Sequence, residues 1–344
     1  MTALKRNRLG PNGPLVTELG LGCASLAGIF HPVSEAQALA TIDSARQAGI
    51  GYFDTAPFYG HGLSEHRVGA ALRGQDAVIS TKVGRLLRPG AAPDAGAWVE
   101  ALPFTPVYDY SHDGVMRSIE DSLQRLGRDR IDIAYIHDIG TLTHGDIDGP
   151  DRFATAMDGG YRALDSLRAA GVVGAIGLGV NETQVCLDAL RYGQWDAFLL
   201  AGRYTLLEQA PLDDLFPACA KAGTDLVIGG PFNSGVLAGG DTFDYGTVPP
   251  PIAARIRAIK AVCEACRVDL PAAALAFCRA HPLVKSTIPG PRSPEELADI
   301  LAWWSAPIPD AFWDALKSEA LLRTDAPTPG RSKISDRTTI GFAK

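Results

Sequence analysis

The chain has 344 residues, of which 46% are hydrophobic and 21% charged, and a formal net charge of −7. That composition excludes an intrinsically disordered chain, and the lack of a dense Lys/Arg run excludes a surface that tracks nucleic-acid phosphates. The longest apolar run, LPAAALAFC at 270–278, is far too short to cross a bilayer, so no membrane partner is expected.

Taken in order, the basic start MTALKRNRLG has no apolar stretch behind it, which argues against a secretory signal and for a cytoplasmic location. RNRLGPNGPLVTELG places a Pro-Asn-Gly turn between two short extended runs and predicts a β-hairpin. A rhythm then begins. β-rich runs occur at 19–23, 51–55, 77–82, 131–137, 174–180, 195–202, 225–230 and 285–290, with helical patterns between them. Ser34 and Gln37 can form a capping box opening SEAQALATIDSARQAG, which should stop at Gly49. Val115, Met116, Ile119, Leu123 and Leu126 form an apolar stripe at helical spacing. Asn181 with Gln184, and Ser293 with Pro294 and Glu296, repeat the helix-start signal. The six cysteines are scattered through these elements, as suits reduced thiols. Cys263 and Cys266 make a CxxC, but it sits inside a helical pattern with no second pair, so no metal or redox work is expected of it.

Strands alternating with helices predict a parallel sheet, and eight strands are the number that closes an α/β (β/α)8 TIM barrel. An open doubly wound sheet would carry GxGxxG at the first strand–helix junction, and GLGCASLAG lacks that spacing. One barrel domain is expected over residues 1–344, with a core at about 8–320 and a loosely ordered polar tail at about 323–344. The connections at 84–111, 139–159 and 233–250 are too long for plain loops. They leave the C-terminal ends of strands, where a barrel builds its active site, and are expected to wall a substrate pocket. On the same face the second strand ends in Asp54 with Tyr59 just beyond, the third in Lys82 and the fourth in His137. Neighbouring strand tips lie side by side, so these four polar groups should converge.

The motifs GYFDTAPFYGHGLSE, STKVG, SLQRLGRDRIDIAYIHD, GAIGLGVNE and STIPGPRSPEEL follow one another along the chain. In them the sequence resembles the aldo-keto reductase family. GRYTLLEQ and GGPFNSGVL resemble most its sugar-oxidising branch, which includes L-fucose, L-galactose and D-threo-aldose 1-dehydrogenases and pyridoxal 4-dehydrogenase. The resemblance implies an NAD(P)-dependent oxidoreductase that moves hydride from C1 of an aldose to a nicotinamide cofactor and yields a lactone. Pyridoxal oxidation and general aldehyde or ketone reduction are the alternatives, and a non-enzymatic regulatory barrel is the rival class. A small sugar or aldehyde is the implied partner, with the oligomeric state left open.

The resemblance also assigns roles. Asp54, Tyr59, Lys82 and His137 match the catalytic tetrad. A lysine about 4 Å from a phenol contributes roughly 4 kcal/mol in favour of phenolate at an effective dielectric of about 20. That draw would move Tyr59 from roughly 10 toward working pH, with Asp54 (also at the cofactor) keeping Lys82 charged and aimed. His137 would orient the substrate oxygen. The turn before the helix at Ser293 is expected to hold the cofactor's phosphates, with Gly290, Arg292 and Glu296 around it. Because Glu296 would repel a 2′-phosphate, NAD is expected, with NADP as the second possibility. Asn181 takes the carboxamide, Arg203 replaces a usual glutamine, and Phe232 is the candidate for stacking on the nicotinamide. Pro231, Phe232, Asn233, Gly235 and Leu237 would line the pyrophosphate channel. Phe58, Tyr59, His61, Trp98, Tyr108 and His137 are expected to meet the substrate.

Overall fold

The computed structural model describes residues 3–92 and 94–330. Eight strands form one sheet: β1 Leu21–Gly22, β2 Tyr52–Asp54, β3 Val78–Val83, β4 Ile131–His137, β5 Val173–Val180, β6 Ala197–Ala201, β7 Asp225–Gly229 and β8 Val284–Ile288. Neighbours pair in chain order, and every pairing is parallel. Gly20 N–H donates to Thr287 O at 3.0 Å and Thr287 N–H to Glu18 O at 2.9 Å, which joins the last strand to the first. The result is the expected (β/α)8 barrel.

Helices α1 Glu35–Gln47, α2 Leu63–Ala71, α3 His112–Leu126, α4 Thr141–Thr155, α5 Arg162–Ala169, α6 Gln184–Ala189, α7 Leu215–Ala222, α8 Pro250–Cys266 and α9 Leu270–Cys278 lie between strands. The last two, α10 Pro294–Ser305 and α11 Asp310–Ser318, follow β8. Ser34, Ser111 and Ser293 each accept a backbone N–H as the N-caps of α1, α3 and α10. The capping box at α1 forms only by half: Gln37 does not return to Ser34 but donates to Arg292 O at 3.1 Å. Asn181 does not cap α6, which starts at Gln184 behind Thr183. Cys263 and Cys266 lie on α8 with free thiols, and burial pushes the Cys263 thiol up to about 11.

Strand alternation decides what each residue faces. On β2 Tyr52 and Asp54 turn into the cylinder and Phe53 turns to the helices. On β3 Ser80 and Lys82 turn inward, while Ile79 and Val83 join the helix-side core and Thr81 donates to Glu65 of α2. Tyr52, Ile133, Tyr135, Leu199 and Val227 fill the interior, and Leu9 and Val16 plug its floor. Those two come from the expected hairpin, Arg6–Arg8 paired with Leu15–Thr17, which is tied to the bottoms of β7 and β8. Small residues make room for the inward lysine: a Cβ on Gly179 would lie 3.1 Å from Lys82 Cε.

The long connections carry structure of their own. The first holds an antiparallel hairpin, Arg85–Pro89 with Phe104–Tyr108, entered through Gly84 at φ 97. The second is mostly α4 and a π turn, not a loop; Gly145, Gly149 and Pro150 hide the helix in the sequence, and Gly145 bends it at φ 73. The third holds a miniature hairpin, Thr242–Phe243 with Gly246–Thr247, turned through Asp244 and Tyr245 at φ 47 and 62. The expected loose tail is pinned at its start. Arg323 N–H donates to Gln209 Oε1 at 3.0 Å, its guanidinium meets Asp213 at 2.6 Å, and Ala326 and Thr328 are buried. The remainder of that tail, 331–344, lies outside the described residues.

Candidate active site

The structure brings Asp54, Tyr59, Lys82 and His137 to one mouth of the barrel. Register explains it: Asp54 pairs with Ser80 across β2 and β3, Lys82 with Tyr135 across β3 and β4, and His137 with Gly179 across β4 and β5. Lys82 Nζ donates to Asp54 Oδ2 at 2.7 Å and to Thr55 O at 2.9 Å, with both side chains buried. Asp54 Oδ1 accepts from Ser80 Oγ at 2.6 Å, and Ser80 continues through Tyr52 at 3.0 Å to Tyr135 at 3.3 Å. The carboxylate is thus anchored from below by the barrel interior. Lys82 Nζ also sits 4.6 Å from the centroid of the Tyr59 ring.

Tyr59 opens a short 3-10 turn, Tyr59–Gly62, in which Gly60 and His61 both take positive φ. Its ring stands edge-on to His137, centroids 5.9 Å apart, and 5.5 Å from Trp98. The expected lowering of the phenol is not the net result. Desolvation, then the charges of Asp54, Tyr245 and Asp138, hold Tyr59 well above its ordinary value, with Arg85 pulling the other way. Burial is the largest cause, and Lys82, paired with Asp54 at 2.7 Å, does not offset it. His137 is buried and, through desolvation and the cations Arg85 and Lys82, titrates well below its ordinary value, so its imidazole is neutral.

Of the expected substrate residues, Phe58 and Trp98 pack edge to face at 5.6 Å, and Phe58 lies 6.2 Å from His137. His61 is buried with its ring 6.0 Å from Phe58 and its Nδ1 without a partner among the described residues. Tyr108 sits at the rim on the first hairpin, its ring 5.4 Å from the Arg85 guanidinium. Sequence reasoning missed the pair at the centre of this wall. Arg85 Nη2 meets Asp138 Oδ2 at 2.6 Å, and the guanidinium lies 4.2 Å over the Phe58 ring. The signal was there: each is a charge within three residues of an inward strand-end group.

The cofactor residues divide. Between the ends of β6 and β7 a Cβ at Gly202, Gly230 or Gly235 would find its nearest atom at 3.8, 3.4 or 3.9 Å, so the floor is open backbone. Beyond β8, Gly290 O accepts from Ser25 Oγ at 2.8 Å, and α10 begins behind the Ser293 cap. Exposed backbone and a capped helix start suit the phosphates of a dinucleotide. Arg292 is held by Glu296 through its N–H at 2.8 Å, Nε at 2.9 Å and Nη2 at 2.5 Å. Asn181 donates to Ala201 O at 3.2 Å and accepts Arg203 Nε at 2.7 Å, while Arg203 Nη1 also meets Asp244 at 2.8 Å. Both therefore lie at the mouth, but Arg203 braces loops. The Asn233 side chain is consumed by Thr205 and Gly202, and Pro231 and Leu237 are buried. Phe232 packs edge-on against Trp303 of α10 at 6.0 Å, a contact with the outer helix layer that does not suit nicotinamide stacking.

The family profile described as the Aldo/keto reductase family matches residues 18–320. Pyridoxal 4-dehydrogenase of Microbacterium luteolum is 46% identical over 340 residues, covering 94% of this chain and 99% of that protein. D-threo-aldose 1-dehydrogenase of a Pseudomonas species is 37% identical over 328 residues, covering 91% and 96%. Among solved structures, the holo form of an aldo-keto reductase from Bacillus halodurans superposes with a TM-score of 0.72 at 24% identity, covering 95% of this chain and 99% of that one. The chain belongs to the aldo/keto reductase family.

Proposed function

We propose that this NAD(P)-dependent oxidoreductase oxidises the cyclic hemiacetal of a small hydroxyaldehyde to a lactone, with NAD as the preferred acceptor. The observation that carries the reading is the grouping of Tyr59 and His137 at an aromatic mouth, backed by the buried Lys82–Asp54 pair. Pyridoxal, closed on its own hydroxymethyl group, is the first substrate: Phe58, Trp98 and Tyr108 suit a flat heteroaromatic ring, and the relative at 46% identity bears that name. An aldose oxidised at C1 is the second reading, favoured by the relative at 37% identity.

A bound nicotinamide supplies the hydride acceptor. Tyr59 takes the proton of the hemiacetal hydroxyl as the C–H bond gives up hydride, and passes it to solvent. His137, neutral, donates its Nε2 proton to the same oxygen, giving up for it the long 3.4 Å approach to Asp138 Oδ2. Asp54 keeps the Lys82 ammonium aimed at the phenol. NAD is preferred because Arg292, the cation beside α10, is committed to Glu296, and Glu295 adds a second negative charge to the same first turn.

Measured kcat/KM for pyridoxal and L-fucose with NAD and with NADP tests the reading. Lactone product and an NAD preference of about tenfold or more are expected, a difference of roughly 1.4 kcal/mol. A preference for NADP, or turnover confined to open-chain aldehydes, would overturn it.

A further inference from the structure

Arg85 and Asp138 belong to neither the tetrad nor the cofactor cradle, yet both reach into the mouth. Arg85 opens the first strand of the hairpin beyond Lys82 and is only 4% exposed, an unusual depth for a guanidinium. Asp138 pins it at 2.6 Å, and the rings of Phe58 and Tyr108 lie 4.2 and 5.4 Å from it. Its Nε is buried with no hydrogen-bond partner among the described residues. Asp138 is itself bent to its place, a non-glycine residue at φ 42. A buried, stacked and oriented cation with a donor left over is equipped to take an oxygen from a ligand.

Its position says which oxygen. Asp138 Oδ2 touches Arg85 Nη2 and also lies 3.4 Å from His137 Nε2, so both nitrogens surround one carboxylate oxygen. Arg85 therefore stands beside His137, the residue that takes the reacting oxygen in the proposed function. We propose that Arg85, positioned by Asp138 and clamped by Phe58 and Tyr108, binds a hydroxyl oxygen carried one or two carbons from the reacting carbon and selects substrates that bear one. The inference deepens the proposed function and rests on its placing of His137. The 2-hydroxyl of an aldose, on the adjacent carbon, and the ring hydroxyl of pyridoxal, one carbon further, both meet the requirement.

Substrate pairs that differ only in that oxygen test it on the full chain. These are pyridoxal against 3-deoxypyridoxal, L-fucose against 2-deoxy-L-fucose, and, in reduction, lactaldehyde against propanal. Wild type should favour the oxygenated member by about 100-fold in kcat/KM, because a site built for a hydroxyl leaves its donor unpaired when the hydroxyl is missing. Arg85→Met should bring that ratio close to one, and Arg85→Lys, which keeps the charge but not the planar fork, should fall between. NADH affinity, read by fluorescence titration, reports whether each variant is folded. Equal kcat/KM within every wild-type pair would overturn the inference, and so would an Arg85→Met variant that slows both members alike. The larger of the pyridoxal and fucose ratios identifies the source of the oxygen. A preserved lactaldehyde preference with no pyridoxal or fucose turnover would sink the proposed substrates and support this role of Arg85.

Discussion

Tyr59→Phe should lower kcat by about 10²–10⁴-fold in both directions while NADH affinity stays unchanged. The substitution removes one oxygen from a ring whose place is set by its neighbours. Trp98 at 5.5 Å, His137 at 5.9 Å and the Lys82 ammonium at 4.6 Å from the centroid all contact the aromatic body. The proposed cofactor contacts at Gly202, Gly230 and α10 do not involve it. Stopped-flow turnover beside an NADH titration separates the two effects. A kcat within threefold of wild type would show that another group moves the proton, and equal loss of NADH binding would point to misfolding.

Asp54→Asn should cost about 3–5 kcal/mol of stability together with most of the activity. Lys82 and Asp54 are both buried, and the amide leaves an ammonium inside the barrel with no counter-charge. The Ser80 hydroxyl now donates to Oδ1, and an amide oxygen can still accept that bond, so the loss is one of charge more than of shape. Thermal unfolding gives the first quantity. Combining Asp54→Leu with Lys82→Met removes both charges and should regain much of the stability, since apolar residues of similar volume often replace a buried ion pair without net cost. The double variant should remain inactive. An active double variant would mean the pair serves the fold alone.

How much of this was legible in the sequence follows from the range of the forces involved. Strand alternation and helix caps are local, so all eight barrel strands and the hairpin could be placed, and with them the inward side of Asp54, Lys82 and His137. Helix α4 was hidden because Gly145, Gly149 and Pro150 weaken the local signal that packing then overrides. Side chains beyond the strand ends depend on contacts distant in sequence. Phe232 meets Trp303, Asn181 meets Ala201 and Arg203, and Asn233 meets Thr205, none of which periodicity reveals. Arg85 and Asp138 flank motif residues, but their pairing needs the hairpin to fold back over the mouth. The state of Tyr59 was the hardest to foresee, because it balances burial against every charge around it.

That balance is also what the central claim depends on. Around the phenol stand Asp54 from β2, Lys82 from β3, Arg85 from the hairpin beyond it, His137 and Asp138 from the end of β4, and Tyr245 from the third connection. Their net effect with burial is upward, so at neutral pH Tyr59 holds its proton. Oxidation needs the group without its proton and reduction needs it with one. The decisive measurement is kcat against pH in both directions. Oxidation should climb by up to about tenfold per pH unit on the alkaline side of neutrality, because each unit below the apparent pKa costs a factor of ten in phenolate, while reduction stays flat until the pH approaches that pKa. An oxidation profile that is flat from neutral to alkaline pH would contradict a buried Tyr59 as the group that carries the proton.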